Sequence, residues 1–123
     1  MDLHESGQMY LESILVLSQT KGKVRSIDIV EYMNFSKPSV SRAVGLLKKG
    51  GYILVDKDGH INLTETGRQQ AEKIYERHRV ISDLLMRLGV DEKTASDDAC
   101  RIEHAISDRS FGAINDYLVK LGL

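Results

Sequence analysis

The stretch of sequence that decides the fold runs from residue 36 to residue 42 and reads Ser-Lys-Pro-Ser-Val-Ser-Arg. The hydroxyl of Ser36 can cap a helix, and Pro38 in the first turn lacks only an N–H that would otherwise stay unpaired. Apolar residues then recur at helical spacing until Gly50-Gly51 ends the pattern. The stretch therefore predicts a helix whose first turns carry hydroxyl and basic side chains.

A second short helix is predicted just before this one. Ser26 precedes a short apolar pattern and is the expected N-cap, and Asn34-Phe35 interrupts the pattern. Two short helices joined by three or four residues form a helix-turn-helix, whose second helix enters the major groove of DNA by its N-terminal half. The motif alone leaves open an alternative, in which the two helices are a structural hairpin and the polar face of the second helix is only solvated. The residues expected to contact DNA are Arg25, Ser36, Lys37, Pro38, Ser39, Ser41 and Arg42.

A β-hairpin is predicted directly after the helix-turn-helix. Residues 52–55 and 61–64 are short strand-like runs, and Asp58-Gly59 between them favours a tight turn. A helix, a helix-turn-helix and a hairpin in that order form a winged helix. We expect Lys57 and His60, on or near the tip of the wing, to contact the phosphate backbone.

The rest of the chain is predicted to be helical. A first helix from about residue 3 to residue 17 carries Met9 and Glu12 three positions apart, and a long helix from residue 65 carries His78 in its apolar stripe. Asp91 caps a helix that ends near Ala105, and Ser107 or Asp108 caps the last helix. The expected fold is mainly α, with a winged-helix DNA-binding domain at 1–64 and a helical dimerisation and metal-binding domain at 65–123. Periodicity does not decide whether the apolar stripe of the last helix is core or dimer surface.

Three candidate metal ligands lie in the helix that follows Asp91. Cys100, Glu103 and His104 are spaced i, i+3 and i+4, so their side chains project from one face of the helix. A thiolate, a carboxylate and an imidazole together suit a divalent transition metal. The alternative is that Cys100 is a small core residue, Glu103 a surface charge and His104 a polar group whose hydrogen bonds are satisfied.

Charge is unevenly distributed along the 123 residues. The net charge is -1, yet the segment from residue 21 to residue 60 holds eight basic and four acidic residues. The single cysteine cannot form an internal disulfide, which removes the main reason to place the chain outside a reducing compartment. Because the sequence shows neither a signal peptide nor 18 consecutive apolar residues, we expect a cytoplasmic protein without a membrane partner.

Five ordered blocks resemble the diphtheria-toxin-repressor family of metal-dependent repressors, which includes iron-dependent and manganese-transport regulators. The resemblance extends from about residue 8 to residue 118. It implies a winged helix, a helical dimerisation and metal-binding region, and repression of metal-uptake genes when Fe(II) or Mn(II) is bound. The blocks are Gln8-Met9-Tyr10-Leu11-Glu12-Ser13-Ile14, Ser36-Lys37-Pro38-Ser39-Val40-Ser41, Leu63-Thr64-Glu65-Thr66-Gly67-Arg68, Arg77-His78-Arg79 and Asp98-Ala99-Cys100-Arg101-Ile102-Glu103-His104.

The resemblance also implies two groups of metal ligands. The primary site of the iron-type members corresponds to Met9, Cys100, Glu103 and His104. A second site of the manganese type would use Glu12 and His78 together with Glu103. The second site of the iron type is incomplete, since its carboxylate and second histidine correspond to Ser82 and Ser96. Iron-type members commonly continue into an SH3-like domain, and the sequence holds no such segment after residue 118, so no ligand is expected from it.

The sequence therefore predicts a homodimeric repressor that binds a palindromic operator in double-stranded DNA when its metal is present. Soft sulfur donors favour Fe(II), with Mn(II) as the alternative and with Co(II), Ni(II) or Zn(II) as possible ions in vitro. A winged-helix regulator that is not gated by metal is a second hypothesis. A metalloenzyme built on the same trio is a third, and it is disfavoured because no general base or substrate pocket can be named.

Overall fold

The computed structural model describes residues 5–122, and it is mainly α-helical as predicted. Within these residues six helices and two short strands follow one another along the chain. Contacts divide the chain into two compact units, an N-terminal unit that ends at Lys73 and a C-terminal unit that begins at Ile74. The elements are α1 (Glu5–Thr20), α2 (Ser26–Met33), α3 (Lys37–Lys49), β1 (Ile53–Val55), β2 (Ile61–Leu63), α4 (Glu65–Arg87), α5 (Glu92–Ala105) and α6 (Asp108–Lys120).

In the N-terminal unit, α1 packs against α2, α3 and β2. The apolar face of α1 is buried, as its helical spacing predicts, and the core is completed by residues of the helix-turn-helix and the hairpin. Tyr10 meets the Phe35 ring edge-on, with ring centroids 5.9 Å apart. The largest fully buried apolar side chains here are Leu11, Ile14, Val24, Ile29, Val40 and Ile53.

The helix-turn-helix consists of α2 and α3. Asn34 ends α2 in the left-handed conformation, with φ of 56°, which asparagine tolerates better than most residues. Ser36 is the N-cap of α3, and its Oγ accepts a hydrogen bond from the Ser39 backbone N–H at 3.3 Å. The predicted Ser–Pro entry into this helix is confirmed.

The predicted cap of α2 was wrong by one residue. Ser26 is already helical, Arg25 is the N-cap, and the Arg25 backbone N–H donates to Asp28 Oδ2 at 2.8 Å. The Lys21 ammonium also donates to Asp28. These two bonds, the one from Lys21 foremost, hold the pKa of the mostly buried Asp28 carboxyl below its usual value. The acidic third residue of the helix therefore stabilises its start.

The wing is a two-stranded antiparallel hairpin in which Ile53 pairs with Leu63 and Val55 with Ile61. Asp56 organises the loop, since its Oδ1 accepts from the backbone N–H groups of Asp58 and His60, both at 2.9 Å. Gly59 takes φ of 81°, so the predicted Asp-Gly turn is confirmed. Ile61 also forms a bridge with Val24, which the sequence did not predict.

The C-terminal unit contains most of α4 together with α5 and α6. Asp91 caps α5 by accepting from the Thr94 N–H at 3.0 Å, and Ser107 caps α6 by accepting from the Ser110 N–H at 3.1 Å. Ala95 and Ala99 give α5 a fully buried face. In the part of the chain that the structure describes, no helix combines the length and the apolar character needed to cross a membrane.

Candidate metal centre and nucleic-acid interface

The last turns of α5 bring the three predicted donors together. One ligand atom from each of Cys100, Glu103 and His104 lies within 4.8 Å of the corresponding atoms of the other two. Cys100 is half-buried, whereas the side chains of Glu103 and His104 are 0% and 1% exposed. The surface position expected for Glu103 in the alternative interpretation is therefore wrong.

Glu103 lies between two histidines. Its Oε2 is 2.9 Å from Nδ1 of His78 on α4, and its Oε1 is 3.3 Å from Nε2 of His104. The Ser96 hydroxyl lies 3.3 Å from Nε2 of His78. Ser96, which replaces a histidine of the iron-type pattern, thus belongs to a polar chain that includes His78, Glu103 and His104.

The donor set within α5 fits a divalent transition metal. A carboxylate that is fully removed from water is costly unless it is paired or coordinates a cation, and here it faces imidazole nitrogens. Both histidines can bind a metal as neutral imidazoles, and the thiol can bind as a thiolate. The short distances among the three donors of α5 allow them to share one ion.

The other predicted ligands lie on α1. Met9 and Glu12 are half-buried, and Ser13 donates its hydroxyl hydrogen to the Met9 carbonyl at 2.8 Å. Both residues belong to the N-terminal unit, while the trio and His78 belong to the C-terminal unit. The participation of Met9 and Glu12 in a metal site stays a prediction.

All but one of the residues predicted to contact DNA are exposed in the N-terminal unit. They lie at the N-cap of α2, in the first turns of α3 and at the wing tip, whereas His60 is half-buried beside Asp56. The Ser36 hydroxyl is engaged in capping and also donates to Ser39 Oγ at 2.8 Å. The exposed members are Arg25, Ser36, Lys37, Pro38, Ser39, Ser41, Arg42 and Lys57.

The buried contacts of Arg77 are not predicted by the sequence pattern. Its side chain is 7% exposed and binds backbone carbonyls at the end of α5. Arginine is seldom so deeply buried, and no local pattern distinguishes Arg77 from its exposed neighbours on α4. Its place in the Arg77-His78-Arg79 block was the available signal.

The architecture defines a class of protein: a winged-helix DNA-binding unit joined to a helical unit that carries candidate metal ligands. Two family models match the chain in the same order. The model described as "Iron dependent repressor, N-terminal DNA binding domain" matches residues 2–61, and "Iron dependent repressor, metal binding and dimerisation domain" matches residues 64–121. The chain belongs to this iron-dependent repressor family of metal-dependent transcriptional repressors.

Individual transcriptional regulators of known sequence or structure are similar to most of this chain. The transcriptional regulator MntR of Lysinibacillus sphaericus is 33% identical, with 87% of this chain and 77% of MntR aligned. The diphtheria toxin repressor of Corynebacterium diphtheriae is also 33% identical over 87% of this chain, but only 48% of that repressor is covered. The solved structure of the manganese regulator SloR superimposes with a TM-score of 0.81 at 30% identity, covering 96% of this chain and 54% of SloR. The chain thus spans about half the length of the longer relatives.

Proposed function

We propose that the chain is a cytoplasmic homodimeric repressor that binds a palindromic operator when Fe(II) is bound, and that it controls genes of metal-ion uptake. The observation that carries this proposal is the trio of Cys100, Glu103 and His104, whose donor atoms lie within 4.8 Å of one another on α5. Membership of the iron-dependent repressor family supports a regulatory use for the trio.

The donor chemistry supports Fe(II) in the primary site. We propose that Met9 and the trio hold the ion, with one thioether, one thiolate, one carboxylate and one imidazole as ligands. Sulfur ligands favour Fe(II) over the harder Mn(II), and availability in the cell selects among the remaining divalent ions. Bound there, the ion would supply positive charge and a cross-link between donors of the two units.

Mn(II) is the second candidate. It is favoured by the 2.9 Å contact between His78 and Glu103, because a manganese-type second site would use both residues together with Glu12. The solved structure of SloR is described as that of a manganese regulator. We propose that Glu12, His78 and Glu103 form this second site.

The proposed DNA surface combines charge and hydrogen-bonding groups. Arg42 and the hydroxyls of Ser39 and Ser41 are exposed in the first turns of α3, where a recognition helix contacts base edges and phosphates. Lys57 at the exposed wing tip would neutralise a backbone phosphate. We assign residues 1–64 to DNA binding and residues 65–123 to metal binding and dimerisation.

Coupling between metal and DNA follows from the placement of the ligands along the chain. Met9 belongs to the helix that packs against α2 and α3, whereas the trio belongs to the unit that we propose to dimerise. An ion bound by ligands from both units would restrict the position of each helix-turn-helix in the proposed dimer. A dimer must match half-sites about 34 Å apart on B-DNA, so this restriction favours operator binding.

The proposal is tested by operator binding under anaerobic conditions. Fluorescence anisotropy with the DNA upstream of the chain's own gene is measured with Fe(II), Co(II), Mn(II) or chelator, for the wild type, Cys100→Ala and His104→Ala. Asp97→Asn is the matched control, because Asp97 is exposed on the same helix. We expect metal to tighten binding about tenfold or more in the wild type and the control, and to have no effect in the two ligand variants.

Two results would contradict the proposal. Equal DNA affinity with metal and with chelator would favour a winged-helix regulator that is not gated by metal. Activation by Mn(II) at concentrations far below those needed for Fe(II) would retain the repressor but replace the proposed metal.

A further inference from the structure

A buried arginine side chain lies at the end of the helix that carries the trio. The guanidinium of Arg77, on α4, donates from Nη1 to the carbonyl oxygens of Glu103 and Ile106, at 3.3 and 2.7 Å. Its Nη2 donates to the carboxylate of Asp108 at the start of α6. A single side chain thus connects three helices.

These bonds satisfy backbone carbonyls that have no hydrogen-bond donor within the helix. The last four carbonyls of a helix have no partner within it, and the C-terminal end carries partial negative charge. Glu103 lies in the last turn of α5, and Ile106 is its C-cap residue. Arg77 satisfies carbonyls at both positions with a full positive charge, and so it fixes the main chain of the last turn.

The orientation of the guanidinium is itself constrained. The Phe111 ring of α6 lies against it, with the ring centroid 5.4 Å from Arg77 Cζ. The planar fork of arginine can serve two carbonyls and a carboxylate at fixed angles, whereas a lysine ammonium is a point charge on a flexible stem.

Consecutive residues of α4 therefore hold the same residue of α5 in two ways. Arg77 binds the Glu103 backbone carbonyl, and His78 contacts the Glu103 carboxylate at 2.9 Å. We propose that Arg77 is a positioning residue of the metal centre: it holds the last turn of α5 in place, so that Glu103 and His104 are set before an ion arrives. This inference rests on the proposed function.

Removal of Arg77 should leave the fold intact. The Asp108 side chain is 73% exposed, so its carboxylate returns to water and no buried charge is stranded. The carbonyls of Glu103 and Ile106 lose their donor, which weakens the last turn of α5, but no charge is left buried without its partner, which is the case in which removing one member of a buried ion pair is most costly. Arg77→Met is thus a usable variant, and Arg79→Met is its control, because Arg79 is exposed two positions further along the same helix.

Two measurements test the role of Arg77. In the metal-free protein, amide hydrogen exchange is followed for residues 102–106, and in a second experiment Co(II) is titrated anaerobically while its absorption spectrum is recorded. For Arg77→Met we expect faster exchange confined to this turn, and a Co(II) dissociation constant about 10 to 100 times higher with the same ligand spectrum. Arg77→Lys should recover part of the affinity, and Arg79→Met should match the wild type.

The outcomes separate this inference from the proposed function. Wild-type exchange or wild-type Co(II) affinity in Arg77→Met would overturn the positioning role, even when the wild type binds Co(II) tightly. A wild-type chain that takes up no Co(II) would overturn the proposed function together with this inference. If Arg77→Met does not fold, the same two measurements on Asp108→Asn test the positioning role. This variant weakens the contact between the guanidinium and the exposed carboxylate and leaves Arg77 in place.

Discussion

Gly67→Ala is expected to destabilise the N-terminal unit, although alanine is the better helix former. Gly67 lies in the first turn of α4, and a Cβ placed there would be 1.9 Å from the Tyr52 carbonyl oxygen and 2.9 Å from its carbonyl carbon. Both atoms belong to the backbone, so no side-chain rotation can relieve the overlap. The segment before β1 and the start of α4 would have to separate.

The expected magnitude follows from three contributions. Overpacking costs about 1–3 kcal/mol. The same Tyr52 carbonyl accepts a hydrogen bond from the Thr64 N–H at 3.0 Å, and its loss adds about 1 kcal/mol. The greater helix propensity of alanine offsets about 1 kcal/mol. We therefore expect the free energy of unfolding to fall by about 1–3 kcal/mol.

The assay is urea unfolding followed by far-ultraviolet circular dichroism. With an m-value of about 1.5 kcal/mol per M, the midpoint should fall by about 0.7–2 M. Gly45→Ala is the matched control, because Gly45 lies within α3 and its Cβ would have no heavy atom within 4 Å other than those of its chain neighbours and of its own helix backbone. The free energy of unfolding of the control should rise by about 0.5–1 kcal/mol. A Gly67→Ala protein as stable as the wild type would refute this reasoning.

Three further predictions concern the helix caps and the metal ligands. In Asp28→Asn the free energy of unfolding at neutral pH should fall by about 1–2 kcal/mol, because the bonds from Lys21 and the Arg25 N–H are weakened. Since these bonds lower the pKa of Asp28, the stability difference from the wild type is complete above the pKa of the unfolded state and disappears as the pH falls through the pKa of the folded state. Urea unfolding at pH 7 and near pH 2 checks this, and a difference independent of pH would contradict it. Ser107→Ala removes the cap of α6 and should lower the free energy of unfolding by about 1 kcal/mol. Thermal unfolding measures this, and an unchanged midpoint would contradict it. Cys100→Ser replaces soft sulfur by oxygen and should shift selectivity from Co(II) toward Mn(II) in competitive titrations, whereas an unaltered ratio would argue against a thiolate ligand.

Local signals in the sequence were sufficient for much of the fold. Ser36 and Pro38 mark the start of α3, and Asp58-Gly59 marks the turn of the wing, because each residue type fits the conformation required at its own position. The start of α2 was harder to place. Its stabilising carboxylate is Asp28, three residues inside the helix boundary, and its partner Lys21 comes from the preceding turn.

The candidate metal centre was predictable to the extent that it lies on one helix. Cys100, Glu103 and His104 share a face because of helix geometry alone. The contact of Glu103 with His78, 25 positions away, depends on how α4 and α5 pack, and periodicity carries no information about it. The buried carbonyl contacts of Arg77 are hidden for the same reason, and only the family resemblance pointed to that part of α4.

The most direct test of the central claim is a closed thermodynamic cycle. Operator affinity is measured with and without Co(II), and Co(II) affinity is measured with and without operator, for the wild type and His104→Ala. If one ion held by the trio governs DNA binding, metal should tighten operator binding about tenfold or more, and operator should tighten metal binding by the same factor. The factor should fall to one in His104→Ala. A wild-type operator affinity that is unchanged by a saturating amount of Co(II) would contradict the claim.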